Sequence, residues 1–286
     1  MSIIVTAASG HLGRLVVESL IERGAAPGSV VATSRDVGRI ADLAASGVRT
    51  AVLDYSRPNT IADVIGAGDV VVLISSDAVG QRVAQHAAVI DAAARAGAGR
   101  IIYTSVLDAS RSTLVLAPEH KATEEAIAAS GVPATILRNG WYTENYATAL
   151  DIARQSGMLV ASVGEGRVAS ASRRDFAEAA AVVALDDTTA GRVFELSGDT
   201  AWTHAELASV LTDLIGSPVR YRALSPDEHA EFLRGAGLDE DTVGFLVALD
   251  AGIRDDLLAH TSGELRALIG RPTTTLAAGL AATAAR

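Results

Sequence analysis

The sequence predicts an α/β fold: a doubly wound parallel sheet with a smaller, mainly helical C-terminal region. Three observations predict it. Short β-branched runs alternate with longer Ala-rich segments. Most of the short runs are continuously apolar, the pattern of strands covered on both faces. Beyond about residue 200 the alternation stops and helical patterns take over.

The strands in order are SIIVTA (2–7), SVVATS (29–34), VRTAVLD (48–54), VVVLIS (70–75), RIIYTS (100–105), ATILRN (134–139) and RVFELSG (192–198). Between the first two, HLGRLVVESLIERG spaces Leu12, Leu15, Val16, Leu20 and Arg23 along one helical face, with Gly24 as a stop signal. QRVAQHAAVIDAAARAG and APEHKATEEAIAASG end at a glycine in the same way. Strand–helix–strand repeats with short turns imply parallel pairing. Then AWTHAELASVLTDLIG reads as a helix, SPVRYRAL as a short strand, and the Ala/Thr-rich last dozen residues as a fraying end. The expected division is a sheet domain over 1–199 and a smaller region over 200–286, which also uses parts of 139–160.

The 286 residues suit one large domain or two unequal ones. A formal net charge of −10 disfavours nucleic acid as a partner, since binding it needs a basic face. No apolar run approaches the ~20 residues of a membrane helix. With no cysteine there is no disulfide, no thiolate nucleophile and no Cys-ligated metal. His204, His229 and His260 are scattered without ligand spacing, so no metal is expected. The start, MSIIVTAASG, lacks a basic segment and a leader-like apolar run, so a cytoplasmic location is expected.

The first strand runs into Ala7-Ala8-Ser9-Gly10-His11-Leu12-Gly13 before a helix begins. So little side-chain bulk lets a ligand approach the backbone, and the helix N-terminus favours an anion there. This is the place of the pyrophosphate turn in a Rossmann-like sheet. The stretch resembles the G-x-x-G-x-x-G turn of short-chain dehydrogenases, with Ala7 in the first glycine position. The next strand ends at Ser34-Arg35-Asp36. Arginine suits the 2′-phosphate of NADPH and a carboxylate the ribose of NADH. Arg35 therefore points to NADPH, with NADH weaker. Asp54 either approaches the adenine or caps a helix. Ser75 and Ser76 end the fourth strand, where the crevice should lie.

The Tyr-x-x-x-Lys dyad of ordinary short-chain dehydrogenases is missing. Lys121 is the only lysine, and the residue four before it is Ala117. Either the chain does no chemistry or its hydride acceptor needs little acid assistance. NGWYTENY (139–146) groups aromatic rings and amides in a chain with few aromatics. The mixture suits a planar, carbonyl-bearing ligand, or it packs the junction between the two regions. His86 lies within a helical pattern and reads as structural. His120 either donates a proton to a reduced oxygen or is a surface or capping residue.

Several segments carry a wider resemblance: TAASGHLG, LISS, YTS, PEH before TEEAIAASG, ATILRNGWYTENY, GRVASASRRDFAEAAA, VFELSGD, AWT and GRPTTTLA. Together they resemble the NmrA-like branch of atypical short-chain dehydrogenases/reductases. Within it they resemble the bacterial NAD(P)H:quinone oxidoreductase 2 group, with triphenylmethane reductases as neighbours. The resemblance implies that Ala7, Ala8, Ser9, Gly10, His11, Leu12 and Gly13 hold the phosphates and Arg35 the 2′-phosphate. It implies that Ser75, Ser76 and Asp77 approach the ribose and nicotinamide. Arg138, Asn139, Gly140, Trp141, Tyr142 and Thr143 then line the nicotinamide crevice, and Arg173 adds a nucleotide contact. Asn139, Trp141, Tyr142, Asn145 and Tyr146 face the acceptor. His120 falls where related isoflavone-reductase-like enzymes carry a catalytic lysine. The implied activity is NADPH-dependent two-electron reduction of small quinones by direct hydride transfer, without flavin or metal, in a protein that could form a homodimer. Two other functions remain open: an NADP(H)-sensing protein without turnover, and a reductase of triphenylmethane-type dyes.

Overall fold

The computed structural model describes residues 1–284. Seven strands form one parallel sheet: β1 (Ile3–Val5), β2 (Val30–Ser34), β3 (Arg49–Val52), β4 (Val70–Leu73), β5 (Arg100–Val106), β6 (Ala134–Asn139) and β9 (Val193–Leu196). Their spatial order is β3-β2-β1-β4-β5-β6-β9, so the chain reverses direction across the sheet between β1 and β4. Ile4 pairs with Val31 on one side and Val71 on the other. The crevice beyond the carboxyl ends of these strands is the ligand position of such sheets.

One face of the sheet carries α1 (His11–Glu22) and α7 (Arg173–Leu185), which pack against each other. Val5, Ala32, Val72, Ile102 and Leu137 point into this core. The other face carries α3 (Pro58–Ala62), α4 (Arg82–Ala96) and α5 (Ala117–Ser130) over Ile4, Val71, Leu73, Ile101 and Tyr103. The alternation of adjacent strand residues between the two cores is the period-two signature of a strand buried on both sides. The short α2 (Ala41–Ala45) follows β2. Gly97 and Gly131 end α4 and α5 in the left-handed conformation, as their glycines foretold.

The C-terminal region adds α6 (Ala147–Ser156), β7 (Met158–Ala161), β8 (Arg167–Val168), β10 (Trp202–Thr203), α8 (His204–Ile215), β11 (Arg220–Ala223), α9 (Pro226–Gly235), α10 (Glu240–Arg254), α11 (Glu264–Ile269) and α12 (Leu276–Ala284). SPVRYRAL does contain a strand: β11 pairs in parallel with β7, and β8 pairs antiparallel with β10. A third core draws Leu107, Leu114, Tyr146, Leu150 and Leu159 together with Trp202, Leu211, Ile253 and Leu280. Residues 106–117 and 146–168 thus belong to it as well as the chain beyond residue 200. Leu265 and Ile269 of α11 return to the first core, beside α7.

Two expectations need correction. The last dozen residues do not simply fray: α12 runs to Ala284 and buries Leu280 completely, and residues 285–286 lie outside the described residues. The fourth strand stops at Leu73 rather than Ser75. There the backbone hands its hydrogen bonds to side chains, as Ile74 N–H donates to Thr6 Oγ1 (2.9 Å) and Ser75 N–H to Thr104 Oγ1 (2.9 Å).

Candidate functional site

Ala7, in the turn that follows β1, has φ +50°, a left-handed conformation uncommon outside glycine. It stands in the family's first glycine position, so the turn keeps the glycine geometry with an alanine in it. A Cβ on Gly13 would lie 2.4 Å from the Ala7 carbonyl oxygen, and one on Gly10 3.2 Å. Gly13 therefore allows α1 to meet β1 at this distance. Gly10 caps α1 without a side-chain bond, so the first-turn N–H groups remain available to an anion.

Ser34 Oγ donates to Ser9 Oγ (2.9 Å) and accepts from Asp36 N–H (3.1 Å). That direction leaves the Ser9 hydroxyl proton free to donate outward. Arg35 is exposed and makes no hydrogen bond or ion pair with the described residues, whereas the Asp36 carboxylate accepts from Gly38 N–H (2.9 Å) and caps a short 3₁₀ turn. The carboxylate beside Arg35 is thus engaged and the guanidinium is free. A small cavity here is lined by Ala7, Ser9, Ser34, Arg35, Asp54 and Ser76, among others. Asp54 also binds Ser56 N–H (2.9 Å) and Arg57 (3.1 Å), so it serves a turn while facing the cavity.

On the other side of the turn lies a cavity of about 600 Å³. His11, Leu15 and Glu18 of α1, Glu144, Ser172 and Arg173, and Thr274, Gly279 and Ala282 near the C-terminus line it. The Arg173 guanidinium lies 4.9 Å over the Tyr142 ring and donates to Asn145 Oδ1 (2.7 Å). Asn139 Nδ2 donates to the Tyr142 hydroxyl (3.3 Å). Asn139 Oδ1, Ser75 Oγ and Ser76 Oγ are buried with no partner among the described residues. Buried polar atoms left without partners are uncommon, and these three lie beyond the carboxyl end of β4 and at the end of β6. Asp77 beside them is exposed.

Other expected residues are turned away. Arg138 is held between Glu124 (2.7 Å) and Glu195 (2.8 Å), which keep it charged and occupied. Thr143 is fully buried against Ser170 Oγ (2.9 Å). Tyr146 packs edge-on to Trp202, centroids 4.9 Å apart, and Trp141 packs against the same third core. Both rings serve the junction between the regions, because the chain turns there from the sheet into the third core. Gly140 lets β6 approach β9: its N–H donates to the Leu196 carbonyl (2.6 Å).

His120 is not a surface residue. It is 6% exposed, and its Nδ1 lies 2.8 Å from the Tyr103 hydroxyl. Arg82 Nη1, always a donor, faces its Nε2 at 3.4 Å, which places the imidazole proton on Nδ1. Burial and the Arg82 charge push its pKa down to about 3. It is therefore neutral near pH 7, and Tyr103 stands at its Nδ1 side. Tyr103, Tyr55 and Arg82 were missed in the sequence. Tyr55, whose hydroxyl lies 2.5 Å from Thr6 Oγ1, lines the small cavity; its position just after the third strand was the signal available.

Ser162, His229 and Asp250 also come together, but not as a nucleophilic relay. Ser162 Oγ and His229 Nδ1 both bind the same Asp250 Oδ2, at 3.0 Å each, inside the C-terminal region. Among the described residues there is no group of three His, Cys, Asp or Glu placed to hold a metal. No described helix is long and apolar enough to cross a membrane.

Residues 7–187 match the NAD(P)H-binding family. Over 275 residues the chain is 42% identical to quinone oxidoreductase 2 of Escherichia coli (strain K12), covering 96% of both chains. The crystal structure of the NADPH-dependent quinone oxidoreductase from Escherichia coli in complex with NADPH aligns with a TM-score of 0.93 at 41% identity, covering 98% of this chain and 99% of that one. The Citrobacter triphenylmethane reductase complexed with NADP(H) aligns with a TM-score of 0.92 at 32% identity, covering 99% of this chain and 100% of that one.

Proposed function

The chain belongs to the NAD(P)H-binding family, and from that premise we propose that it is an NADPH-dependent reductase of small quinones and similar planar electrophiles. The observation that carries the reading is the 42% identity to quinone oxidoreductase 2 over 96% of both chains. The turn supports it: Gly13 has no room for a Cβ, and unpartnered Ser75, Ser76 and Asn139 atoms lie at the strand ends. These features fit a dinucleotide.

Bound NADPH supplies a hydride. The chain does the rest. The first-turn N–H groups of α1 and the Ser9 hydroxyl bind the diphosphate, and Arg35 binds the 2′-phosphate. Ser75, Ser76 and Asn139 orient the nicotinamide half. Tyr142, carrying Arg173 on its ring, walls the acceptor side together with the larger cavity. A quinone needs little help from an acid, because its reduced oxygen is a phenolate, far less basic than the alkoxide formed from a ketone. That matches a chain whose buried His120 is neutral and whose Tyr-x-x-x-Lys dyad is absent. The acceptor is a freely diffusing small molecule and the site of action the cytoplasm, checked by cell fractionation; a homodimer is checked by light scattering.

The test is NADPH oxidation, followed by loss of its near-ultraviolet absorbance, against a panel of quinones and triphenylmethane dyes, with dinucleotide binding measured in parallel. Turnover of quinones is expected. The 32% identity to triphenylmethane reductase favours dyes as a second acceptor class. Tight NADPH binding with no oxidation for any acceptor would favour the sensing role instead.

A further inference from the structure

We infer that His86 and Arg82 of α4 are positioning residues of this site: they clamp the Ser76 peptide so that the Ser75 and Ser76 hydroxyls are presented to the nicotinamide half of the cofactor. The inference rests on the reductase reading and goes beyond it, since neither residue lines either of the cavities beside the turn.

The three residues after β4 have their backbone groups taken by side chains. Ile74 N–H donates to Thr6 Oγ1 and its carbonyl accepts from the Tyr55 hydroxyl (2.8 Å). Ser75 N–H donates to Thr104 Oγ1. Ser76 N–H donates to His86 Nε2 (3.1 Å), and the Ser76 carbonyl accepts from Arg82 Nε (2.8 Å). The Ser76 peptide is therefore held on both sides from one helix. The Ser75 and Ser76 hydroxyls remain, buried and unpartnered among the described residues. They are the polar groups left to offer a ligand.

The clamp has one chemical setting. A backbone N–H can only donate, so His86 Nε2 must carry the lone pair and Nδ1 the proton. Nδ1 faces Thr123 Oγ1 at 3.0 Å, and Thr123 sends its own proton to the Glu119 carbonyl (2.9 Å). Every donor and acceptor in the chain is then matched. Arg82 is 6% exposed and also faces Glu119 (3.6 Å) and His120, so its guanidinium is held in place. Misplacing a bound reactant by about 1 Å can cost on the order of a hundredfold in rate, so a clamp on the strand end acts on the hydride step.

The test uses the full chain with His86→Leu, which removes the acceptor, and His86→Gln, whose Oε1 can take the place of Nε2. Thermal melting, NADPH affinity by fluorescence titration, and kcat and KM for a quinone with NADPH and its 4-deuterated form are measured. His86→Leu should lower kcat about tenfold or more, with little change in the quinone KM and a larger deuterium isotope effect. His86→Gln should recover most of the loss. A native kcat in the folded leucine variant, or equal losses in both variants that follow their melting temperatures, would overturn the clamp. Ser75→Ala with Ser76→Ala keeps the idea testable if the leucine variant does not fold. Neither hydroxyl has a hydrogen-bond partner among the described residues, so stability should hold while NADPH affinity falls about tenfold; unchanged affinity would also overturn it. The binding readout is independent of turnover. An unreactive native enzyme whose NADPH affinity still drops in the serine variants would sink the reductase reading and leave the clamp standing.

Discussion

Ala7 and Gly13 share one turn and make opposite demands on it. Ala7 holds a left-handed φ that costs a non-glycine residue roughly 1–2 kcal/mol. Glycine there would relieve it, less about 0.4–1 kcal/mol for the looser unfolded chain. Ala7→Gly should therefore raise stability slightly, about 0.5–1 kcal/mol net, with NADPH affinity kept or improved. Gly13→Ala is the reverse case, because its Cβ would meet the Ala7 carbonyl oxygen at 2.4 Å. It should cost about 1–3 kcal/mol in urea denaturation and most of the NADPH affinity. A Gly13→Ala protein that binds NADPH normally would mean that the turn is not the phosphate site. Arg35, just past β2, makes no hydrogen bond or ion pair among the described residues, its neighbour Asp36 being engaged in a cap. Arg35→Ala should lose about 1.5–3 kcal/mol of NADPH binding, tenfold or more in Kd, with NADH binding nearly unchanged. Equal weakening of both would make the arginine structural.

At the scale of elements, α7 depends on a residue from β5. Arg100, at the start of that strand, donates to the carbonyls of Val183 (3.0 Å), Ala184 (3.2 Å) and Asp186 (2.8 Å). A cation at a helix C-terminus satisfies the orphan carbonyls and the dipole together. α7 in turn brings Ser172, Arg173 and Arg174 to the larger cavity, its own start fixed by a capping box between Ser172 and Asp175. Arg100→Met should cost about 2–4 kcal/mol of stability. Activity per folded molecule should stay near native, since Arg100 lies at the opposite end of α7 from the cavity. A stability change within about 0.5 kcal/mol would show the cap to be dispensable.

Across the whole molecule, three histidines are buried neutral in two different cores. Burial pushes His86 and His120 down to about 3 and His204 down to about 4. The unfolded chain takes up protons near the ordinary value of 6.5. Between that value and the folded ones, the unfolded state binds more protons, so stability falls as pH falls. The loss should approach about 1 kcal/mol per histidine over the first pH unit below 6.5. Urea midpoints should therefore drop steadily on acidification below neutrality, and a flat profile down to pH 5 would contradict neutral burial. The same neutrality predicts that none of these three histidines contributes an inflection in kcat over this range while the protein stays folded.

The sheet, its strand sequence, the small-residue turn at Ala7–Gly13 and the position of Arg35 after the second strand were legible in the chain because each rests on local information: β-branched runs, stop glycines, and small residues between a strand and a helix. NGWYTENY was legible as a special segment, but its division of labour was not. Asn139 and Tyr142 bond to each other, with Tyr142 edge-on to Phe176 of the first core and under Arg173, while Thr143 and Tyr146 turn toward the third core. That outcome depends on Ser170, Trp202 and Gly279, which are distant in sequence and meet the segment only when the third core forms. Arg138 looked like a ligand contact until Glu124 and Glu195 arrived from α5 and β9. His120 read equally as a proton donor or a surface or capping residue; that it is buried and neutral beside Arg82 and Tyr103 came from the fold. Local pattern determined the elements and the small-residue turn between β1 and α1 by itself. Which polar side chains remain free for a ligand was decided only by tertiary structure, because a side chain's charge state and bonding depend on partners that the fold alone brings within reach.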